Sequence, residues 1–105
     1  MPTTTIADHQ IQVDDEGFMT EYDEWNKDIG RDLAALIGIT ELTDAHWRAI
    51  DFLRTDYVDQ GETATLRRVS KAGGIPTKEL FSLFPKKPAK KMAYVAGLPK
   101  PRGCV

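Results

Sequence analysis

Between Thr43 and Gly61 the chain carries one apolar stripe, Trp47, Ile50, Leu53 and Tyr57, at spacings of three and four residues. Only an α-helix puts such positions on one face. Thr43 supplies a capping hydroxyl, Asp44 an acid in the first turn, and Gly61 a left-handed stop. A helix of this length needs other surfaces to bury its stripe, and the flanking segments are patterned to provide them. Trp25, Ile29, Leu33, Leu36 and Ile37 predict a second helix, with Asp23 as cap and Gly38 as stop. Shorter helices are predicted over residues 63–72, ending at Gly73-Gly74, from a Thr77 cap through Leu83, and from Pro88 at the first position to Ala96. Ahead of all these, the short runs 4–7 and 10–13 flank Asp8-His9 and predict a β-hairpin. Trp25, Trp47, Phe52, Tyr57, Phe81 and Phe84 fall at helical spacing and are expected in the core. The expected fold is mainly α: a small helical domain with an amino-terminal hairpin, a helix-turn-helix-like element over 43–72, and a flexible carboxy-terminal arm. The expected division is a core domain over 1–96 and a mobile arm over 97–105.

At 105 residues there is material for one modest core. Hydrophobic residues at 41% and charged residues at 29% exclude a disordered chain. No apolar run approaches the roughly 18 residues a membrane helix needs, and residues 1–10 lack the basic start and apolar centre of a leader. A cytoplasmic protein without a membrane partner is expected. The charge is divided along the chain: residues 1–62 hold four basic side chains against fifteen acidic ones, residues 63–105 ten basic against one acidic. That asymmetry points to an acidic partner or a nucleic acid on the carboxy-terminal side, or to two halves that offset each other across a small fold.

The only cysteine, Cys104, stands beside the last residue of a stretch that cannot be helical. Pro99 and Pro101 each lack a backbone donor, and Gly97 and Gly103 are permissive joints on either side. A buried packing cysteine would sit in an apolar stripe, whereas this one follows Gly103. Lys100 and Arg102 lie within four residues of it, and nearby cations favour the reactive thiolate. With no second cysteine, the chain can make only intermolecular thiol bonds. A monomer is expected, with a dimer accessible through Cys104.

Residues 88–105, from Pro88-Ala89-Lys90 through Ala96-Gly97-Leu98-Pro99-Lys100-Pro101-Arg102-Gly103-Cys104-Val105, resemble the carboxy-terminal signature of the DsrC/TusE family of sulfur-relay proteins. Val13-Asp14-Asp15-Glu16-Gly17-Phe18 with Trp25, and Glu41-Leu42-Thr43-Asp44-Ala45-His46-Trp47 with Ile50, Phe52-Leu53-Arg54 and Tyr57, resemble its amino-terminal segment and central helix. The resemblance implies that Cys104 carries sulfur as a persulfide, that Gly97, Leu98, Pro99, Lys100, Pro101, Arg102 and Gly103 form the arm that meets partners, and that no cofactor is needed. It implies sulfur-donor and sulfur-acceptor proteins as partners, with a donor of the TusBCD or DsrEFH kind, and leaves tRNA thiolation and sulfur metabolism both open. Two departures stand out. Members serving dissimilatory sulfite reductase carry a second cysteine eleven residues before the penultimate one, where this chain has Ala93, so neither an internal disulfide nor a trisulfide can form. Between Gly74 and Leu80 there are only Ile75-Pro76-Thr77-Lys78-Glu79, where a longer, partner-facing insert is expected.

The rival is a regulatory nucleic-acid-binding protein in which Arg67, Arg68 and Lys71 contact phosphates from the second helix of the 43–72 element. A metal site is not expected, because zinc takes four ligands and the chain offers one cysteine and two distant histidines, His9 and His46. His46, in the first turn of its helix, is expected to cap or pack; a role as base for Cys104 requires the arm to fold back.

Overall fold

The alternating amino-terminal runs form two antiparallel strands, β1 (Thr3–Ile6) and β2 (His9–Gln12), in the computed structural model, which describes residues 3–6 and 8–101. Thr3 faces Gln12 and Ile6 faces His9, with Asp8 in the turn at φ 65°, a conformation Asp tolerates better than most residues. Alternation puts Ile11 inward, and an isolated bridge from Val13 to Met19 extends the pairing. The chain reverses there because the Asp14 carboxylate accepts the N–H groups of Glu16 and Phe18, each at 2.9 Å. Ile11, Val13 and Met19 pack against Ile29 and Leu33 of the first helix as a small second core.

Five helices follow: α1 (Lys27–Leu36), α2 (Asp44–Gln60), α3 (Leu66–Lys71), α4 (Thr77–Leu83) and α5 (Pro88–Val95). The cap of α1 is Asn26, whose side chain accepts from Ile29 N–H at 2.9 Å, and not Asp23, which lies in a 3-10 turn over Tyr22–Glu24. Trp25 also leaves the predicted stripe: it is extended ahead of the helix, and its ring is spent elsewhere. Leu36, expected inward, is 64% exposed, whereas Ile37 beyond it packs on the core.

α2 is capped as expected and more completely. Thr43 Oγ1 accepts from His46 N–H, and His46 Nδ1 accepts from Thr43 N–H at 3.0 Å, so histidine takes the place glutamate usually has in a capping box. α3 is shorter than 63–72; it starts after Thr65, which caps it, because Thr63 is turned into the core. Thr77 is the first helical residue of α4, and Pro76 precedes it as the cap residue. α5 begins at Pro88, where a missing donor costs nothing.

α5 lies at the centre, packed on α1, α2 and α4. Ile50, Leu53, Val69, Leu80, Phe84, Met92, Val95 and Leu98 form the main core, each fully buried. Burying each such side chain contributes about 1.5–3 kcal/mol. Phe84 meets the His46 ring edge-on at 5.2 Å, but Phe81 is 48% exposed. Its helix is seven residues long, so Leu80 and Phe84 take the inward face and Phe81, one position on from Leu80, turns out. No helix among the described residues is long and apolar enough to cross a membrane.

Candidate functional site

The segment that leads to Cys104 leaves α5 through a Schellman motif. Leu98 N–H donates to Ala93 at 3.0 Å and Gly97 N–H to Tyr94 at 3.3 Å, with Gly97 at φ 72°. Gly97 is required here twice over. Its φ disfavours any side chain, and a Cβ would stand 2.3 Å from Trp25 Cδ1.

Trp25 is held against this glycine from two directions. Its Nε1–H donates to Val95 O at 2.9 Å, and the Arg54 guanidinium lies 4.3 Å from its ring centroid. Arg54 in turn donates to Ala96 O at 2.8 Å and to Tyr22 O at 2.9 Å, so it ties the end of α5 to the 3-10 turn. Burial lowers the Arg54 pKa, opposed by the nearby Tyr22, Asp23 and Asp51; an arginine retains its charge under such a shift.

Beyond Gly97 the chain stays packed. Leu98 is fully buried in the main core, and Pro99 O accepts from the buried Thr63 hydroxyl at 2.7 Å. Lys100 Nζ donates to Glu16 at 3.3 Å, and Pro101 is buried. Gly97, Leu98, Pro99, Lys100 and Pro101 are therefore a docked root, and packing does not break at residue 96. Arg102, Gly103 and Cys104 lie outside the described residues.

Ala93, at the position of the family's other cysteine, is fully buried, and its carbonyl is the one that fixes Leu98. His46 is not available as a base. Nδ1 faces the Thr43 N–H and hydroxyl, and Nε2 stands 2.9 Å from Leu83 O, so the hydrogen bonds assign an Nε2–H tautomer with both nitrogens engaged. Among the described residues no group of three or more His, Cys, Asp or Glu side chains could hold a metal ion.

Arg67, Arg68 and Lys71 line one surface depression on α3, but Arg68 is committed to an ion pair. Arg68 is bound to the buried Asp56 through Nε and Nη2 at 2.6–3.0 Å, which raises its pKa, and so pins α3 to α2. Arg67 and Lys71 are exposed on a six-residue helix. Nothing found supports the nucleic-acid alternative.

Sequence reasoning missed Trp25, Arg54, Thr63 and Glu16 as the residues that seat the root. The available signal was a charge at Arg54, beside Leu53 on the inward stripe of α2; Trp25 gave none, because its spacing to Ile29 matches the stripe.

A small helical body that closes its last helix on a tryptophan and continues as a docked Leu-Pro-Lys-Pro segment defines one class of fold. The model of the DsrC-like protein family matches residues 5–105, and the chain belongs to that family. It is 35% identical over 105 residues to the gamma subunit of dissimilatory-type sulfite reductase from Nitratidesulfovibrio vulgaris, with all of both chains covered. It is 36% identical over 103 residues to a sulfurtransferase TusE homologue from Haemophilus influenzae, covering 91% of this chain and 94% of that one. The solution structure of Allochromatium vinosum DsrC superposes with a TM-score of 0.79 at 35% identity, covering 98% of this chain and 97% of the other. The match with the Nitratidesulfovibrio protein runs over 105 residues and all of both chains, so at least one relative is no longer than this chain across residues 75–79.

Proposed function

We propose that this protein is a sulfur-relay carrier whose Cys104 takes sulfane sulfur from a donor protein and hands it to an acceptor. The observation that supports it most is the full-length similarity to a sulfite reductase gamma subunit and to TusE sulfurtransferases, combined with a single cysteine in the family's terminal motif. The Cys104 thiolate attacks the terminal sulfur of a donor persulfide; a new S–S bond forms as the donor's S–S bond breaks, and the donor leaves as a thiolate. An acceptor thiolate then attacks the outer sulfur of Cys104-S-SH and restores the Cys104 thiolate. No net oxidation occurs, and no cofactor is required.

The docked root gives this carrier a short reach. Cys104 lies three residues beyond Pro101, a stretch that spans at most about 11 Å when extended. A partner must therefore come against the body near Pro101, unless Leu98 is pulled from the core. Exchange needs Cys104 as a free thiolate, and a reducing compartment such as the cytoplasm keeps a lone thiol in that form. Donors of the TusBCD or DsrEFH kind fit the chemistry, and tRNA thiolation and sulfur metabolism use the same step.

Onward transfer is the test. Protein carrying sulfane sulfur is mixed with excess glutathione, and sulfur should leave as glutathione persulfide with recovery of one free thiol. Cys104→Ser should neither take sulfur up nor release it. Sulfur that stays on the wild-type protein, or release from the serine variant, would contradict the carrier role.

A further inference from the structure

Beside the root, a cleft of about 400 Å³ opens between the 14–18 turn, the end of α1 and the start of α5. Phe18, Ile37 and Tyr94 line it with apolar surface, the Phe18 and Tyr94 rings meeting edge-on at 5.7 Å. Lys87, Lys90 and Lys91 line it with charge, and Lys86 is the neighbour of Lys87. Lys86 and Lys87 sit at φ 59° and 45° immediately before Pro88, a backbone that a non-glycine residue adopts at a cost. Glu16 is the one acid lining the cleft, and it serves two lysines: Lys90 at 4.0 Å and Lys100 of the root at 3.3 Å. Three lysines at the start of α5 thus line the cleft with a single carboxylate, and the amino-terminal end of α5 adds partial positive charge.

We infer that this cleft docks an acidic, aliphatic segment of the protein that exchanges sulfur with Cys104; the identity of that partner as a sulfur protein rests on the relay role proposed above. Carboxylates on the segment would pair with Lys87 and Lys90, and an aliphatic side chain between them would cover Phe18 and Ile37. Charge complementarity selects the acid, and the apolar lining selects a peptide. A small oxyanion needs neither the volume nor Phe18 and Ile37, and a nucleic-acid backbone has no aliphatic group to lay on Ile37. The position suits a short-reach carrier. Lys100 lies four residues before Cys104 and is tied through Glu16 to the cleft, so a segment seated there places its own protein against the root.

The probe is an acetylated hexapeptide of alternating glutamate and leucine, titrated into the isotopically labelled full chain while amide shifts are recorded. Saturable shifts are expected at Gly17, Ile37, Lys87 and Tyr94. Half-saturation should rise about tenfold in the Lys87→Glu/Lys90→Glu variant and with high salt, and be restored by Lys87→Arg/Lys90→Arg. A lysine and leucine hexapeptide should not saturate. Equal shifts from that control, from sodium sulfate alone or from duplex DNA, absence of saturation with the acidic probe, or binding untouched by the double glutamate variant would each overturn the assignment. Loading of Cys104 by a small-molecule persulfide is measured on the same samples. Loading without peptide binding rejects the cleft and keeps the carrier; binding without loading keeps the cleft as an acidic-segment site and rejects the carrier.

Discussion

At the end of α1, Ile39 N–H donates to Ala34 and Gly38 N–H to Ala35; at the end of α5, Leu98 N–H donates to Ala93 and Gly97 N–H to Tyr94. Both glycines are left-handed, at φ 89° and 72°. The local chemistry is one motif used twice. Around Gly38 there is open space, with nothing within 4 Å of where a Cβ would be, and Ile39 is only partly buried. Around Gly97 stand Trp25 and, behind it, Arg54, while Leu98 occupies the core. The same stop signal ends a helix in one place and in the other joins the last segment of the chain to the body. Tertiary surroundings, and not the motif, decide which.

Substituting the two glycines should separate these roles most sharply. Gly38→Ala adds only left-handed strain, about 1–2 kcal/mol. Gly97→Ala adds the same strain plus overlap with Trp25, for a total of about 2–5 kcal/mol by chemical denaturation. Equal losses at both sites would show that Trp25 can step aside. The next contrast is between two leucines near these ends. Leu98→Ala should cost about 2–5 kcal/mol, as for a fully buried side chain, and Leu36→Ala, on an exposed position, less than about 0.5 kcal/mol. If Leu98→Ala were as mild as Leu36→Ala, the root would not be part of the core.

Thr63→Val removes the donor to Pro99 O and should cost about 1 kcal/mol, with faster proteolysis after residue 98 and no change in the α1 end. The smallest effect concerns protons. Burial raises the Tyr94 pKa, so the folded protein favours the neutral phenol. That contribution is complete below the pKa of the unfolded chain and is lost as pH rises through the higher folded value, so stability should fall in alkali. Tyr94→Phe should flatten this decline, read as melting temperature against pH.

Much of the fold is legible in the sequence because local rules carry it. Thr43 and Gly61 bound α2, Pro88 opens α5, and Asp8 sits in the hairpin turn, each for reasons internal to a few residues. The positions that are not legible depend on partners distant in sequence. Trp25 reads as a stripe residue until Val95 and Gly97, about seventy residues on, are seen to hold it outside the helix. Thr63 reads as a helical residue until Pro99 claims its hydroxyl. Arg68 reads as a phosphate contact until Asp56, buried on α2, takes its guanidinium. The proline-rich tail has the same character: Pro99 and Pro101 do exclude a helix, but extension is not detachment, and Leu98 anchors it. The proposed carrier thiol is read from placement, since Cys104 is the only cysteine and lies within the stretch that the family model matches.

The most direct measurement of the carrier role is the intact mass of the protein after incubation with a persulfide donor. One added sulfur, about 32 Da, is expected on the wild-type chain, reversed by a reducing agent and absent from Cys104→Ser. An unchanged wild-type mass at saturating donor, or an adduct that survives in the serine variant, would contradict it.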